Sequence, residues 1–458
     1  MTPMHVMPAT NENNRILIKG IIVGIMILLM LIPGYFVSNL VAERQSRQSE
    51  VVNEVSGKWA GKQTITGPVL LLPYREVKTA ADGKTTTTMN TAYILPDDLH
   101  ITGNIDPKEK KRSLYSVMLY HADIKLTGKF NPLPFEALQI DPESVVWKDA
   151  RLVINTEDVR GIDDQVQLEW NGAKHFMEAG VPENKQLNEG ISAPVSINAQ
   201  DPSSFSVTLS LRGSEQLYFT PVGKTTETDI NAAWKDPAFD GKYLPLTSEV
   251  TDKKFKAHWK ILPLSHTYPQ YWKNNAQDLA KAAFGVRLIQ TVDGYSKTNR
   301  SIKYAILFVA LTFAFFFFLE ILQKRRVHPI QYMLVGIALT IFYTLLLSIS
   351  EYTGFNIAYF IASAATVSLI ALYVRGIFKS NKTAVGFTVA LASLYTYIFI
   401  LIQSEDYALL FGSIGLFVIM AIIMHYSRKI DWYGAAGHEE HVPLQNDGNI
   451  LPENELTV

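Results

Sequence analysis

Six long runs without a charged side chain constrain this 458-residue chain more than any other feature. One lies near the amino terminus, and five follow one another after residue 303. They are 20–42, 304–319, 330–350, 352–374, 383–404 and 407–424. A membrane-crossing helix needs about 20 mostly apolar residues. The run at 304 reaches that length with Glu320 at the interface, and the last run reaches it with the His-Tyr pair that follows. The runs therefore predict an α-helical integral membrane bundle of six transmembrane helices.

The positions of Lys and Arg predict how the bundle is oriented. Cytoplasmic loops carry an excess of these cations, and here the short loops between runs contain them on one side of the membrane only. The topology anchors are Arg15, Lys19, Lys324, Arg325, Arg326, Arg375, Lys379, Lys382, Arg428 and Lys429. The two short loops of the other side carry acids and no Lys or Arg. The pattern predicts cytoplasmic termini and a large periplasmic segment.

The first run predicts a retained anchor and not a cleaved signal peptide. It is longer than the apolar part of a typical signal, and SNLVAER offers no small-x-small cleavage site. Gly20 and Gly24 have the spacing that lets helices approach closely, either within the bundle or in a homo-oligomer. The predicted segments are a cytoplasmic terminus 1–19, an anchor 20–42, a periplasmic domain 43–303, a five-helix bundle 304–428 and a disordered cytoplasmic tail 429–458.

The segment 43–303 has the pattern of a mostly β, antiparallel, sandwich-like domain. Apolar and polar residues alternate in FSVTLSLRG, QVQLEW and KFKAHWKI, as in half-buried strands. Asp82 and Gly83 predict a hairpin turn, SEVVNEVSGKW continues the anchor as a helix, and AQDLAKAA forms a short helix. Without a single cysteine in the chain, core packing alone must hold this domain together. The balanced charge gives no indication of a nucleic-acid partner.

The sequence offers no catalytic, metal-binding or cofactor motif. DGKTTTT lacks the first glycine of a phosphate-binding loop, since Lys78 occupies that position. The histidines of HEEH at 438–441 are three residues apart and not four, as a zinc-protease helix requires. No G-x-S-x-G is present, although a site assembled from distant residues would not be visible in the sequence. We therefore predict no cofactor, no metal and no enzymatic activity.

Ionisable residues near the ends of the spans are the candidate functional residues, because such groups are costly in a membrane. They are Glu320, His328, Glu351, Glu405 and Asp406. Glu320 precedes Lys324 by four residues, a spacing that predicts a helical ion pair. The three outer acids act either as interfacial anchors or as an acidic mouth that binds a cation or meets the external domain. None of the candidates lies at mid-span, where a coupled transporter would place a charge.

Five long segments resemble the CreD family of bacterial inner-membrane proteins. They are GPVLLLPY (67–74), HTYPQYW (266–272), FGVRLIQTVDGYSKTNRSIKYA (284–305), HPIQYMLVG (328–336) and YTLLLSISEYTGFNIAYFIASAA (343–365). The resemblance covers nearly the whole chain in the same order. It implies a role in cell-envelope integrity and in the output of a two-component system that responds to growth conditions or β-lactam stress. It carries over no catalytic residue.

These observations predict a non-enzymatic inner-membrane protein that supports cell-envelope integrity or an envelope stress response. Its partners are expected to be the lipid bilayer and an envelope component or membrane protein, which the external domain would bind. A transporter or channel gated by that domain is the alternative hypothesis, and an envelope hydrolase is a third.

Overall fold

Helices occupy the two ends of the chain, and strands occupy its middle. The computed structural model describes residues 12–79, 85–181, 190–265, 268–274, 277–288, 293–323, 325–404 and 407–428. Internal contacts divide the chain into two units. The membrane unit comprises Met1–Ala42 and Asp293–Val458, and the other comprises Glu43–Val292 and is named the external unit after its predicted location.

Nine α-helices lie in the described ranges. They are α1 (Glu12–Leu29), α2 (Leu31–Trp59), α3 (Phe135–Leu138), α4 (Asp293–Lys303), α5 (Ala305–Leu322), α6 (Pro329–Thr353), α7 (Phe355–Phe378), α8 (Asn381–Gln403) and α9 (Ala408–Ser427). Six spans, counting α1 with α2 as one and then α5 to α9, are long and apolar enough to cross a membrane. The predicted number of transmembrane helices is therefore confirmed. The segment SEVVNEVSGKW continues α2 as a helix to Trp59, as its sequence predicts.

The first span is interrupted at Met30, between α1 and α2. Pro33 has no backbone N–H, so the carbonyl of Leu29 lacks the partner that a regular helix would supply. The N–H groups of Met30 and Gly34 still donate to carbonyls one turn earlier, at 3.0 and 3.4 Å. The interruption is therefore local, and the span continues beyond it.

Aromatic rings fill the core of the membrane unit. Phe316 on α5 is buried against Tyr332 on α6, with ring centroids 4.9 Å apart, and against Phe378 and Phe387 at 5.7 and 5.8 Å. Edge-to-face contacts of this kind are favourable beyond the apolar area that they bury. They join α5, α6, α7 and α8 in one cluster.

Asp293–Lys303 forms helix α4 within the membrane unit. The strand-rich unit therefore ends at Val292, whereas the sequence placed the end of the external domain at residue 303. Tyr304 separates α4 from α5, so the two helices follow one another with a single intervening residue. The predicted tail 429–458 lies outside the described residues.

The external unit contains two β-sheets. Its strands are β1 (Gln63–Thr79), β2 (Thr85–Ile94), β3 (Asp98–Arg112), β4 (Tyr115–Phe130), β5 (Arg151–Asn155), β6 (Gln167–Trp170), β7 (Ala173–Phe176), β8 (Glu178–Ala179), β9 (Gly190–Pro194), β10 (Ser203–Ser214), β11 (Gln216–Thr220), β12 (Thr225–Ala232), β13 (Pro237–Gly241), β14 (Thr247–Val250), β15 (Phe255–Ile261), β16 (Tyr271–Lys273) and β17 (Phe284–Leu288). One sheet has the order β13-β17-β11-β1-β5-β9-β8, with β2 also on β1 and β16 on β2. The other has the order β14-β15-β12-β3-β4-β10-β6-β7.

Most neighbouring strands are antiparallel, which confirms the predicted β class. The exceptions among the described strands are the parallel pairs β1–β11 and β3–β12. Buried residues of both sheets form one core, in which Val69 of β1 and Leu209 of β10 are completely buried. The sheets therefore pack face to face as a sandwich.

The alternating segments bury the faces that the sequence predicts. Phe205, Val207, Leu209 and Leu211 all point into the core from β10. Strands β1 and β2 form the predicted hairpin as far as the pair Thr79 and Thr85, while the turn at Asp82 and Gly83 lies outside the described residues. The predicted short helix at AQDLAKAA is a 3-10 helix of Leu279–Ala282.

A partly buried carboxylate connects the end of α2 with the start of β1. Asp158 accepts hydrogen bonds from the Gly61 N–H at 3.0 Å and from the guanidinium of Arg160 at 2.7 and 2.8 Å. Arg160 also donates to the carbonyl of Gly57 in α2, at 3.1 Å. The hydrogen bond from Arg160 is the main reason why the pKa of Asp158 falls to about 2 from its ordinary 3.8.

We expect this carboxylate to make the external unit sensitive to acid. Because its pKa is lower in the folded chain, its stabilising contribution is complete above about pH 5 and disappears as the pH falls toward 2. Asp158→Asn should therefore lower the free energy of unfolding by about 1–2 kcal/mol at pH 7 and flatten its decline between pH 5 and 2. Tryptophan fluorescence during thermal unfolding measures this. Asp252→Asn, at an exposed position, is the control, and equal pH profiles for the two variants would contradict the prediction.

Candidate functional site

Glu320 near the end of α5 is the buried charged side chain among the described residues of the membrane unit, with 6% of its surface exposed. Its carboxylate forms an ion pair with the ammonium of Lys19 on α1. The hydroxyl of Tyr332 donates to Oε2 at 2.8 Å, and the backbone N–H of Val327 donates to Oε1 at 2.8 Å. Three donors from three different segments therefore converge on one side chain, as a buried charge requires.

The connection between α5 and α6 brings two of these donors into place. His328 caps α6, since its Nδ1 accepts from the Ile330 N–H at 3.3 Å and its own N–H donates to the side chain of Gln331 at 3.0 Å. Pro329 occupies the first turn, where its missing N–H costs nothing. This cap confirms that α6 begins at Pro329 and gives His328 a structural role. It also fixes the turn that carries Val327 to the carboxylate.

The structure gives Glu320 a partner other than the one that its local sequence predicts. Lys324 lies outside the described residues, so the proposed pair between these two residues stays a prediction. The observed partner, Lys19, belongs to the same group of predicted cytoplasmic anchors. The ion pair therefore connects the first span to the second, whereas a bond to Lys324 would have stayed within one turn.

The other candidates at the span ends divide into one described residue and two that are not described. The hydroxyl of Tyr295 on α4 donates to Glu351 on α6 at 3.0 Å. Glu405 and Asp406 lie outside the described residues, so an acidic mouth formed by all three acids stays a prediction.

Apart from half-buried Lys19, the predicted topology anchors are exposed wherever the structure describes their side chains. The exposed ones are Arg325, Arg326, Arg375, Lys379, Lys382 and Arg428. The side chain of Arg15 and all of Lys429 lie outside the description. Exposure at the ends of apolar helices agrees with a role as interfacial anchors.

The external unit brings together a serine, a histidine and an aspartate that the sequence did not reveal. Ser210 Oγ lies 2.9 Å from His121 Nε2, and His121 Nδ1 lies 3.1 Å from the carboxylate of Asp163. This is the atom order of a serine-hydrolase triad. Arg212 also forms an ion pair with Asp163, at 2.7 Å.

A second carboxylate competes with this histidine for the proton of the serine. Ser210 Oγ donates to Asp123 Oδ1 at 2.9 Å. A hydroxyl has one proton, so Ser210 cannot donate to Asp123 and to His121 at the same time. When the proton points to Asp123, it is not directed at the imidazole, which a hydrolase needs as its base. The cluster is a polar ladder on the outer face of β4 and β10. Among the described residues, no group of three His, Asp or Glu side chains is arranged to hold a metal ion.

Two Leu-Pro-Leu segments form an exposed apolar patch on the external unit. The leucine surface consists of Leu244 and Leu246, which are 72% and 67% exposed, and Leu262 and Leu264, which are 50% and 100% exposed. Leucines at this exposure are individually ordinary, but four on adjoining segments indicate an interaction surface.

Hydrogen bonds hold the two segments of the leucine surface together. The hydroxyl of Tyr243 donates to the carbonyl of Ser265 at 2.7 Å. The indole N–H of buried Trp259 donates to the carbonyl of Tyr243 at 3.2 Å. The surface is therefore built on the sandwich core, and Pro245 and Pro263 restrict its backbone.

An open strand edge begins where the first of these segments ends. Strand β14 is the last strand of its sheet and, among the described strands, pairs with β15 alone. The N–H of Thr251 donates to the carbonyl of Lys254 at 2.8 Å, which closes this hairpin. Because hydrogen-bonding direction alternates along a strand, the N–H groups of Ser248 and Val250 face outward. An extended peptide could pair with them.

Comparison with known proteins agrees with the resemblance in the sequence. The model of the family described as "Inner membrane protein CreD" matches residues 15–433, which include all six spans. A protein of Escherichia coli (strain K12) described as "Inner membrane protein CreD" is 31% identical over 414 residues, which cover 89% of this chain and 91% of the relative. The chain therefore belongs to the CreD family of multi-pass inner membrane proteins.

Proposed function

We propose that this protein supports cell-envelope integrity by binding an extended segment of another envelope protein through its external unit, without catalysis. The role in the envelope is what the resemblance to the family implies. The leucine surface beside the open edge of β14 carries the binding part of the proposal. The polar ladder around Ser210, in which Asp123 competes with His121 for the hydroxyl proton, supports a role without hydrolase chemistry.

A polypeptide fits this surface better than a sugar or a lipid does. Only a polypeptide backbone offers donors and acceptors at the spacing of a strand edge. The exposed leucines next to that edge supply apolar contact area, which strand pairing alone lacks. We also propose that the termini are cytoplasmic and the external unit periplasmic, on the basis of the distribution of Lys and Arg.

The absence of cysteine from the chain makes the test direct, because Leu264→Cys creates a single thiol. In intact cells with a permeable outer membrane, a membrane-impermeant maleimide should label it. A photoreactive maleimide at the same position should then crosslink to a protein partner. Lys125→Cys, at an exposed position in the middle of β4, is the matched control and should give little of that product.

Two further variants show whether the crosslink depends on the proposed surface. Leu244→Ser removes apolar contact area, and Ser248→Pro removes an outward N–H of β14 without a ladder bond to β15. Each should reduce the product at least fivefold while leaving thermal unfolding unchanged. Equal products from Leu264→Cys and Lys125→Cys would overturn the proposal, as would products unaffected by either change. A thiol labelled only after cell lysis would overturn the proposed orientation.

A further inference from the structure

A cavity of about 380 Å³ lies beside the interruption of the first span, within the membrane unit. Its walls come from α1, α2, α4, α5 and α6. Ile27, Met30 and Val309 give it apolar walls, and Gly34 leaves one wall open, since a Cβ there would contact nothing within 4 Å. The missing side chain at Gly34 contributes to the space.

The cavity has the length of one leaflet. Along the first span it extends from Ile27 to Ser38. Eleven residues of helix at 1.5 Å each cover about 16 Å, and half of a bilayer's hydrocarbon core is about 15 Å. Ser38 lies toward the end where the chain enters the external unit. The cavity therefore runs from that surface of the membrane to about its middle.

The polar groups of the cavity are concentrated at its outer end. Lys303, the last residue of α4, lines its outer end together with Ser38 and Tyr35. Within the described part of the chain, Lys303 forms no ion pair. The inner end is bordered by Ile27 and Met30. A cation at the membrane surface above an apolar slot is complementary to a phosphate above an acyl chain.

We propose that this cavity binds one anionic glycerophospholipid, with its phosphate at Lys303 and an acyl chain along Met30 and Val309. The lipid belongs to the leaflet on the side of the external unit. The ammonium of Lys303 donates to the phosphate oxygens, and the hydroxyl of Ser38 lies at the same end of the slot. The acyl chain takes the space beside Gly34.

Native mass spectrometry of the full-length protein, titrated with phosphatidylglycerol in mild detergent, tests the proposal. The wild type should retain one tightly bound lipid. Lys303→Ala should weaken its retention at least fivefold, and Lys303→Arg should preserve it. Gly34→Leu should abolish it, because the new side chain fills the open wall.

Gly24→Leu is the matched control, since this glycine is on the same span, has equally open space and does not line the cavity. A phosphatidylglycerol with a diazirine in its acyl chain should label the wild type near Met30 or Val309. The proposal fails if Lys303→Ala and Gly34→Leu retain the lipid as the wild type does. It also fails if diacylglycerol, which lacks the phosphate, is retained equally well or if the label maps elsewhere.

Discussion

Glu320→Ala should destabilise the membrane unit by about 3–5 kcal/mol, because it leaves the half-buried ammonium of Lys19 without its counter-charge. The change also removes the acceptor of the Tyr332 hydroxyl and of the Val327 N–H. For a unit of this size the melting temperature should fall by about 10 °C, followed as helix content by circular dichroism of the full-length protein in micelles.

A double-mutant cycle separates the ion pair from the other two hydrogen bonds. Glu320→Gln keeps an oxygen acceptor and should cost less than Glu320→Ala. Lys19→Met leaves the carboxylate unpaired, and combining the two should restore part of the loss, with a coupling of about 0.5–3 kcal/mol. Lys382→Met, at an exposed residue among the predicted anchors, is the control. If the losses of Lys19→Met and Glu320→Gln are simply additive, the ion pair does not connect the two spans energetically.

Trp259→Ala should lower the stability of the external unit by about 3–5 kcal/mol, as expected for a large aromatic side chain removed from a core. Trp259 is 1% exposed. Its ring centroid lies 5.5 Å from that of Phe284 and 5.8 Å from that of Phe239, so the change leaves a cavity between the sheets. Fluorescence of the remaining tryptophans reports the loss, since only one of the chain's seven lies outside the external unit.

A second substitution at Trp259 tests how the leucine surface is supported. Trp259→Phe retains most of the packing and loses only the hydrogen bond to the Tyr243 carbonyl, so it should cost about 1 kcal/mol. Hydrogen exchange should then increase locally around residues 243–246. If Trp259→Ala has the same melting temperature as the wild type, the core described between β15 and β17 is wrong.

Periodic features of the fold could be predicted from the sequence, because each depends on neighbouring residues. The spans follow from length and apolarity, and β10 follows from the alternation of Phe205, Val207, Leu209 and Leu211. The cap of α6 follows from His328 and Pro329. The parallel pairs β1–β11 and β3–β12 could not be predicted, because their partners are separated by more than a hundred residues and nothing local specifies the order.

In the candidate sites, too, contacts between distant residues could not be predicted from the sequence. The four-residue spacing predicted an ion pair between Glu320 and Lys324. The observed partner of Glu320 is Lys19, which is 301 residues away in the sequence. The leucine surface was missed because each Leu-Pro-Leu segment alone resembles the end of a buried strand. Its exposure depends on how the two segments meet. The repetition of the motif after Tyr243 and after Ile261 was the signal that could have revealed it.

The first and last strands of the external unit, β1 and β17, both pair with β11. The unit therefore begins and ends at nearby points, as an inserted domain does. Gln63 of β1 lies beside Leu217 of β11, and Leu217 lies beside Val286 of β17. Two strand spacings of about 4.8 Å separate the points where the chain enters and leaves the sandwich, so they are about 10 Å apart. Domains whose ends are this close can be removed or transplanted without stretching the host chain. A linker of about four extended residues would bridge that gap, so the sandwich could be exchanged as a module between these two spans.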